Sequence, residues 1–405
     1  MYIEMRKIAL CMELSDRYEH GIARGLVRYA KTNPEWRLYG YGWMFRPLSD
    51  LEHWDGDGVI ARVEDSESAD RLSALGLPVV DVAGAYARPR FRSVTNDDFL
   101  TGYKAGLNLR GCGFSRFAFL GVSGTIWSSL RKEGFFECIQ RRETTTDAAA
   151  ASARPASTPV FERPLAWWEG QARGTSDEGL EAFLASLAPP VALFACNDTT
   201  GLRAAETAAR LGLAVPESLA ILGVDDEDII CELAQPSLSS IMLDCEAIGF
   251  RAAAVLDDIL EQRLPGGPPG GLPPGAREAV PPRDVAERES TQVFACEDEL
   301  VARAVTFIRA HAHEGIDVSD VLGVVSASRR SLETRFRHAM GRSLHEEIVR
   351  GKLARAKRLL REGGATIERV AEESGFGALG RFHALFKEAE GLSPGEWRRR
   401  NGASR

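Results

Sequence analysis

The C-terminal stretch of roughly ninety residues carries one pattern twice, offset by about fifty positions. Residues 321–346 read VLGVVSASRRSLETRFRHAMGRSLHE and residues 370–396 read VAEESGFGALGRFHALFKEAEGLSPGE. Leu332, Phe336, Gly341, Ser343 and Glu346 of the first copy answer to Phe382, Phe386, Gly391, Ser393 and Glu396 of the second. Each copy is a short helix, a tight turn and a second helix, a shape that can set one helix in a DNA major groove. The spacing predicts an all-α domain over residues 297–405, with helix-turn-helix motifs at about 317–340 and 366–389.

The rest of the chain is built differently. Near-continuous apolar runs are expected as strands at Lys7–Met12, Arg37–Tyr41, Gly58–Val63, Pro78–Val82, Arg116–Leu120, Val191–Cys196, Leu219–Val224 and Ser239–Leu243. Amphipathic stretches such as Tyr18–Lys31, Phe99–Arg110, Thr199–Leu211 and Glu246–Gln262 lie between several of them. Apolar strands alternating with helices imply parallel sheets covered on both faces. Two low-complexity stretches, Thr146–Pro159 and Leu264–Ala276, are expected as surface loops. Residues 1–289 are thus expected to form an α/β domain, with Ser290–Cys296 as the linker.

Charge divides along the same line. The chain carries a net charge of −8, yet residues 297–405 hold 20 Lys+Arg against 16 Asp+Glu. An acidic body with a basic tail suits a tail that meets phosphates. The seven cysteines, at 11, 112, 138, 196, 231, 245 and 296, are scattered without a C-x-x-C pair. That spacing suggests free thiols in a reducing, cytoplasmic setting. No apolar run reaches the roughly 20 residues of a membrane helix, and the N-terminus reads as a first buried strand rather than a secretory signal.

Ligands of parallel α/β sheets sit beyond the carboxyl ends of the strands, and those positions here are polar. Ser15–Glu19 follow the first strand, and Asn96, Asp97 and Asp98 precede a helix. Trp127 and Arg131 follow FAFLG, Asn197 and Asp198 follow VALFAC, and Asp225–Asp228 follow LAILGV. Carboxylates, amides and an aromatic ring suit a polyhydroxyl ligand; any one of these Asp or Asn residues could instead be a helix cap. The run ALFACNDTTGLRAAETAARLGLAVPESLAILGVDDEDI resembles the second lobe of LacI/GalR-type sugar receptors, and DGVIARV, VTNDDFLTGYKAGLNLRGCGFSRFAFLG and PSLSSIMLDCEAIGFRAAAVLDDIL match other landmarks of that family. The resemblance implies an α/β two-lobe, periplasmic-binding-protein-like receptor with a hinged cleft. By position it implies Arg131 and Asp225 as the foremost sugar contacts. The candidate ligand-binding residues are Glu19, Asp97, Asp98, Trp127, Arg131, Asn197, Asp198, Asp225 and Asp226. LacI-type repressors open with DNA-binding helices of their own, whereas this sequence opens on the first receptor strand, so DNA binding is expected from the tail.

In the tail, Leu332, Phe336 and Met340 share one face of the helix Arg329–Met340, leaving Arg329, Arg330, Ser331, Thr334 and Arg335 outward. Ala378, Leu379, Arg381, His383 and Lys387 are their counterparts in the second reader. A long helix from Leu344 to about Arg361 separates the two. The second copy is similar to the AraC/XylS family in its Gly375-Phe376, Phe382, Phe386-Lys387, Gly391-x-Ser393-Pro394 and Trp397-Arg398. Gly377, Gly380 and Ser326 depart from that family's pattern. The two resemblances together imply a sugar-responsive, dimeric transcription regulator, expected to activate carbohydrate (xylose-like) catabolic genes. Its partners would be double-stranded operator half-sites, a small sugar, a second copy of the chain and, for an activator, RNA polymerase; localisation would be cytoplasmic, with the bacterial nucleoid. The alternatives are another small polar effector, a repressor, or a sugar-binding protein without a DNA role. No cofactor, metal or membrane partner is expected. The sequence has no Walker A loop, no G-x-S-x-G and no metal-spaced cluster, and His311 and His313 do not share a helix face. Cys196 reads as a strand residue rather than a nucleophile, which argues against an enzyme.

Overall fold

The computed structural model describes residues 5–41, 51, 53–86, 90–140, 158–168, 178–262, 277–292, 298–340 and 342–401. Leu264–Ala276, and Thr146–Pro159 apart from its last two residues, lie outside them, as do Gly341 and Cys296. The chain divides into two compact units, one of residues 1–108 and 116–291 and the other of residues 109–115 and 292–405.

The first unit has two lobes. Lobe one begins with β1 (Arg6–Cys11), α1 (Arg17–Thr32), β2 (Trp36–Tyr41), β3 (Gly58–Ala61), α2 (Ser66–Ala74), β4 (Val79–Asp81) and β5 (Arg92–Asn96). The chain then crosses to lobe two, where α3 (Asp98–Gly111), β6 (Phe117–Val122), α4 (Ile126–Gln140), β7 (Val160–Arg163), α5 (Leu165–Trp168) and α6 (Glu178–Ala185) follow. They lead to β8 (Val191–Ala195), α7 (Asp198–Arg210), β9 (Leu219–Val224), α8 (Asp228–Leu233) and β10 (Ser239–Ile241). It returns to lobe one for α9 (Cys245–Gln262) and β11 (Arg277–Val280), then closes lobe two with β12 (Val285–Ala286). The strand orders are β11-β5-β4-β3-β1-β2 and β12-β10-β9-β8-β6-β7. All pairings are parallel except that of β12 with β10.

The wholly buried β3, β8 and β9 account for the apolar runs in the sequence. β5 (RSVTN) was not expected as a strand, because period and hydrophobicity both fail in it. Its Ser93, Thr95 and Asn96 are nevertheless buried, and the strand delivers the Asn96-Asp97-Asp98 cluster to the crossover. Three crossovers form the hinge and are tied to one another. Asp97 N donates to Val280 O (2.8 Å), Met242 N to Asp284 O (3.0 Å) and Arg283 N to Met242 O (2.8 Å). Lys104 Nζ reaches the carbonyls of Pro282 and Arg283 at 2.8 and 2.9 Å. Within lobe one, α1 and α9 lie together. Tyr29 and Phe250 meet edge to face, and Asp257 accepts from Tyr29 Oη at 2.8 Å and Trp36 Nε1 at 3.1 Å.

The expected linker begins too early. Glu289–Thr291 form a 3-10 turn of lobe two. Ser290 Oγ donates to Ile221 O at 2.6 Å and accepts from Ser239 N at 2.8 Å, while Thr291 Oγ1 meets Ser239 Oγ at 2.7 Å. The Ser290 hydroxyl satisfies backbone groups of β9 and β10, and both Ser290 and Thr291 thus belong to the receptor.

The second unit contains α10 (Glu299–His311), α11 (Val318–Val324), α12 (Arg329–Met340), α13 (Leu344–Glu362), α14 (Ile367–Glu373), α15 (Leu379–Glu390) and α16 (Pro394–Asn401). Two apolar cores organise it. One gathers Val301, Val305, Ile308, Val321, Leu332 and Phe336 with Leu344 and Ile348; the other gathers Leu353, Ala356 and Leu360 with Val370, Phe382, Phe386 and Trp397. α13 therefore gives its first half to one core and its second half to the other. The repeated Ser and Glu are capping boxes: Ser343 with Glu346 opens α13, and Ser393 pairs with Glu396 in the same way at the start of α16. Gly375 has φ of +78°, and a Cβ there would lie 2.6 Å from Ala312 O. Both conditions require glycine, which explains the Gly-Phe step of the second motif.

Candidate effector cleft and DNA-reading face

Arg131 is the centre of the cleft. It sits four residues after Trp127 on α4, and its guanidinium lies 5.1 Å from the Trp127 ring centroid. Nε donates to Asp98 Oδ1 at 2.8 Å and Nη1 to Cys196 O at 2.5 Å, while Nη2 stands 3.5 Å from Asp225 Oδ1. Asn96 Nδ2 donates to the same Asp98 oxygen at 2.9 Å. The Arg131 side chain is 6 % exposed and that of Asp225 31 %, so the carboxylate, not the guanidinium, meets solvent. Desolvation raises the carboxyl of Asp225 to about 7, with Asp16 and Asp98 adding to the rise and Arg131 and Arg62 opposing it. Asp98 is also raised by burial, against the pull of Arg131.

Asp225 and Asp226 both have positive φ, at 103° and 54°. The strain is held by Asp225 N donating to Ile241 O at 3.0 Å and by Asp226 N donating to Ser240 Oγ at 2.9 Å. The preceding Gly223 is required by a close approach: a Cβ there would fall 2.1 Å from Asp198 Oδ1. The Gly-x-Asp step of the sequence is thereby accounted for.

Arg131, Asp98, Asp225 and Trp127 come together, but the other sequence candidates are placed elsewhere. Asp198 is buried under β9 and β10, accepting from Ser240 Oγ at 2.6 Å and Glu227 N at 2.8 Å. Asn197 caps α7, and Asp97 accepts from Leu100 N at 2.9 Å in the first turn of α3. Glu19 is buried, accepting from Ser15 N at 2.9 Å and lying 3.3 Å from Arg62 Nη1. Asp226 is held by Arg288 Nη2 at 2.7 Å and Arg17 Nη2 at 3.1 Å. For Asn197 and Asp97 the capping alternative describes the geometry. Two arginines stand outside the sequence candidates, although Arg17 lies within the polar Ser15–Glu19 stretch. Arg62 follows the apolar β3 and pairs with Asp16 at 2.8 Å and Glu64 at 2.9 Å. Arg17 of lobe one reaches across to lobe two, donating its backbone N to Glu227 Oε2 at 2.8 Å and pairing with Asp226 and Asp228. Their signal was position: each is a charged residue directly beyond a strand or at a helix start. Cys196 is buried, with its thiol pushed up to about 11, and so stays protonated at neutral pH.

In the second unit, Arg329, Arg330, Ser331, Thr334 and Arg335 of α12 are exposed, as are Leu379, Arg381, His383 and Lys387 of α15 and Ala378 just before it. Two of these arginines are engaged. Arg335 makes a two-pronged bond to Asp298 at 2.5 and 2.9 Å, and Arg329 Nε donates to Glu333 at 2.9 Å. Asp298 also caps α10, so Arg335 is a flank residue of the reader helix. Arg330 has no side-chain hydrogen bond or ion pair among the described residues. Arg337 and His338, absent from the sequence candidates, are exposed on the same helix.

A receptor with two α/β lobes and a unit with two helix-turn-helix motifs define a DNA-binding regulator with a ligand-sensing domain. Comparison with known proteins agrees region by region. Residues 7–96 match the XylR N-terminal domain, 108–291 a periplasmic binding protein-like domain, and 323–400 a helix-turn-helix domain. The chain is 28 % identical over 407 residues to the xylose operon regulatory protein of Escherichia coli (strain K12), covering 98 % of each. It is 26 % identical over 400 residues to the Haemophilus influenzae protein of that name, covering 97 % of this chain and 98 % of the relative. A solved structure of the xylose-binding transcription activator xylR aligns over 100 % of both chains at 28 % identity with a TM-score of 0.60. The CelR–cellobiose complex, at 21 % identity and TM-score 0.52, covers 71 % of this chain and 86 % of its own, and shares the receptor fold. The chain is a XylR-like regulator: an AraC-type helix-turn-helix domain joined to a LacI-like sugar-binding domain, and not an enzyme. No helix among the described residues is long and apolar enough to cross a membrane.

Proposed function

We propose that this chain is a cytoplasmic transcription activator that binds a neutral monosaccharide, xylose or a close relative, and acts on sugar-catabolic genes as a homodimer that engages RNA polymerase. The carrying observation is the buried Arg131 set between Asp98, Asp225 and the Trp127 ring. A guanidinium can donate to ring and hydroxyl oxygens, Asp225 can accept from hydroxyls, and the indole can lie against a sugar's apolar face. Asp16, Asp98 and Asp225 near two arginines leave no surplus of positive charge for a phosphorylated or acidic sugar. The names of the relatives favour xylose. Glu19, Asp97, Asn197, Asp198 and Asp226 support the cleft walls rather than contact the ligand.

In this reading the sugar binds the closed lobes more tightly than the open ones and thereby shifts the chain toward its DNA-competent state. The outward faces of α12 and α15, with Arg330, Ser331, Thr334, Arg381, His383 and Lys387 foremost, meet double-stranded operator half-sites. A thermal-shift screen over monosaccharides tests the effector, because a ligand of the folded state raises its melting temperature by mass action. A mobility-shift assay with and without the hit tests the coupling. Unchanged DNA affinity and unchanged promoter output at saturating sugar would refute the regulatory reading.

A further inference from the structure

The two reader helices present different chemistry on their outermost lines. Successive residues of an α-helix turn by about 100°, so with Leu332 and Phe336 packed inward, positions 330, 334 and 337 form one strip of the outward side of α12, flanked there by 331 and 338. The equivalents on α15, set by the buried Phe382 and Phe386, are 380, 384 and 387. All six positions are exposed. The first line reads Arg330, Thr334, Arg337; the second reads Gly380, Ala384, Lys387. Arginine can make a two-pronged bond to guanine, and threonine can bond a base edge or touch a thymine methyl. Glycine offers no side chain, alanine only a methyl group, and lysine a point charge suited to phosphate.

The structure of the chain itself does not call for the bare residues of the second line. A Cβ at Gly380 would meet nothing within 4 Å, the same holds at Gly377, and neither has positive φ. Gly380 is the second residue of α15, and neither packing nor backbone conformation inside the chain requires glycine there. In the first reader, by contrast, Arg329 and Arg335 are held by Glu333 and Asp298, while Arg330 is left without a side-chain partner among the described residues.

We infer that base discrimination is concentrated in the first helix-turn-helix, on Arg330 and Thr334 with Arg337. The second lies on the DNA through sequence-independent contacts led by Lys387 and sets the register. This rests on the proposed reading of the chain as a DNA-binding regulator.

Selection of the full chain on a randomised 40-bp duplex pool, with and without a monosaccharide mixture, tests it. The expected result is one strongly fixed block of bases flanked, about one helical turn away, by a weakly fixed one. Arg330→Ala should relax the strong block and weaken the selected duplex roughly 5- to 100-fold. Lys387→Ala should weaken selected and unrelated duplexes by a similar factor and lower the salt slope by roughly 1. Both side chains are exposed, and unchanged melting temperatures would confirm folding. Two equally fixed blocks overturn the inference, as does relaxation of the strong block by Arg381→Ala or His383→Ala but not by Arg330→Ala. A chain that selects no sequence at all overturns the regulator reading itself.

Discussion

Folding raises the carboxyl of Asp225 to about 7, which makes the cleft sensitive to pH near neutrality. A carboxyl with a raised pKa holds its proton more firmly in the folded chain. Its contribution therefore favours the folded state at low pH and is lost as pH climbs from the ordinary carboxylate range through 7. Ligand-free melting temperature should fall between pH 6 and 8, and Asp225→Asn should flatten that slope. A sugar hydroxyl donating to the ionised form would give the opposite trend in binding. Affinity measured by calorimetry should rise from pH 6 to 8 with release of up to one proton. Arg131 calls for a different experiment. It is the partner of the buried Asp98, so Arg131→Ala removes the sugar response and also strands a buried carboxylate. The expected destabilisation is about 3–5 kcal/mol in denaturant titration, which makes Asp225→Asn the cleaner test of binding.

At the scale of elements, the capping boxes of α13 and α16 repeat the same bond in the two motifs. Ser343→Ala and Ser393→Ala should each cost about 1 kcal/mol in unfolding free energy. Ser343→Ala should act on both motifs, because α13 belongs to both cores. Equal and local losses from the two variants would contradict that view of α13. Much of this level was legible in the sequence. The bounds of α12 agree with the expected Arg329–Met340, and eight strands stood out as apolar runs, several of them buried along their whole length. β5 was hidden because its buried side chains are polar and their burial is set by tertiary neighbours, which no local pattern encodes. The cleft was legible in part for a related reason. An Asp or Asn beyond a strand is compatible with a cap, a buried strut or a ligand contact, and only the fold shows Asn197 as a cap, Asp198 as a buried strut and Asp225 beside Arg131. Arg17, noted only within the polar Ser15–Glu19 stretch, and Arg62 were not singled out because their partners are distant in sequence, 46 positions away for Arg62 and Asp16 and more than 200 for Arg17 and Asp228.

For the receptor as a whole, Arg17 carries a direct tie between the lobes through Asp226, Glu227 and Asp228. Its side chain is 36 % exposed, and solvent screening reduces the tie to about 1 kcal/mol. Arg17→Ala should therefore weaken sugar binding roughly 5-fold and widen the receptor in solution scattering; unchanged affinity and dimensions would remove Arg17 from the closure. The threefold crossing of the hinge bears on biosynthesis as well. Lobe two takes its elements from one continuous stretch except for β12 and the 289–291 turn, whereas lobe one lacks α9 and β11 until residue 280 has been made. On the ribosome the lobe encoded first must wait for the lobe encoded inside it. A nascent chain halted once β10 has cleared the ribosome, with α9 still inside it, should already protect β6–β10 from protease while β1–β4 are still cut, reversing the usual N-to-C order of maturation.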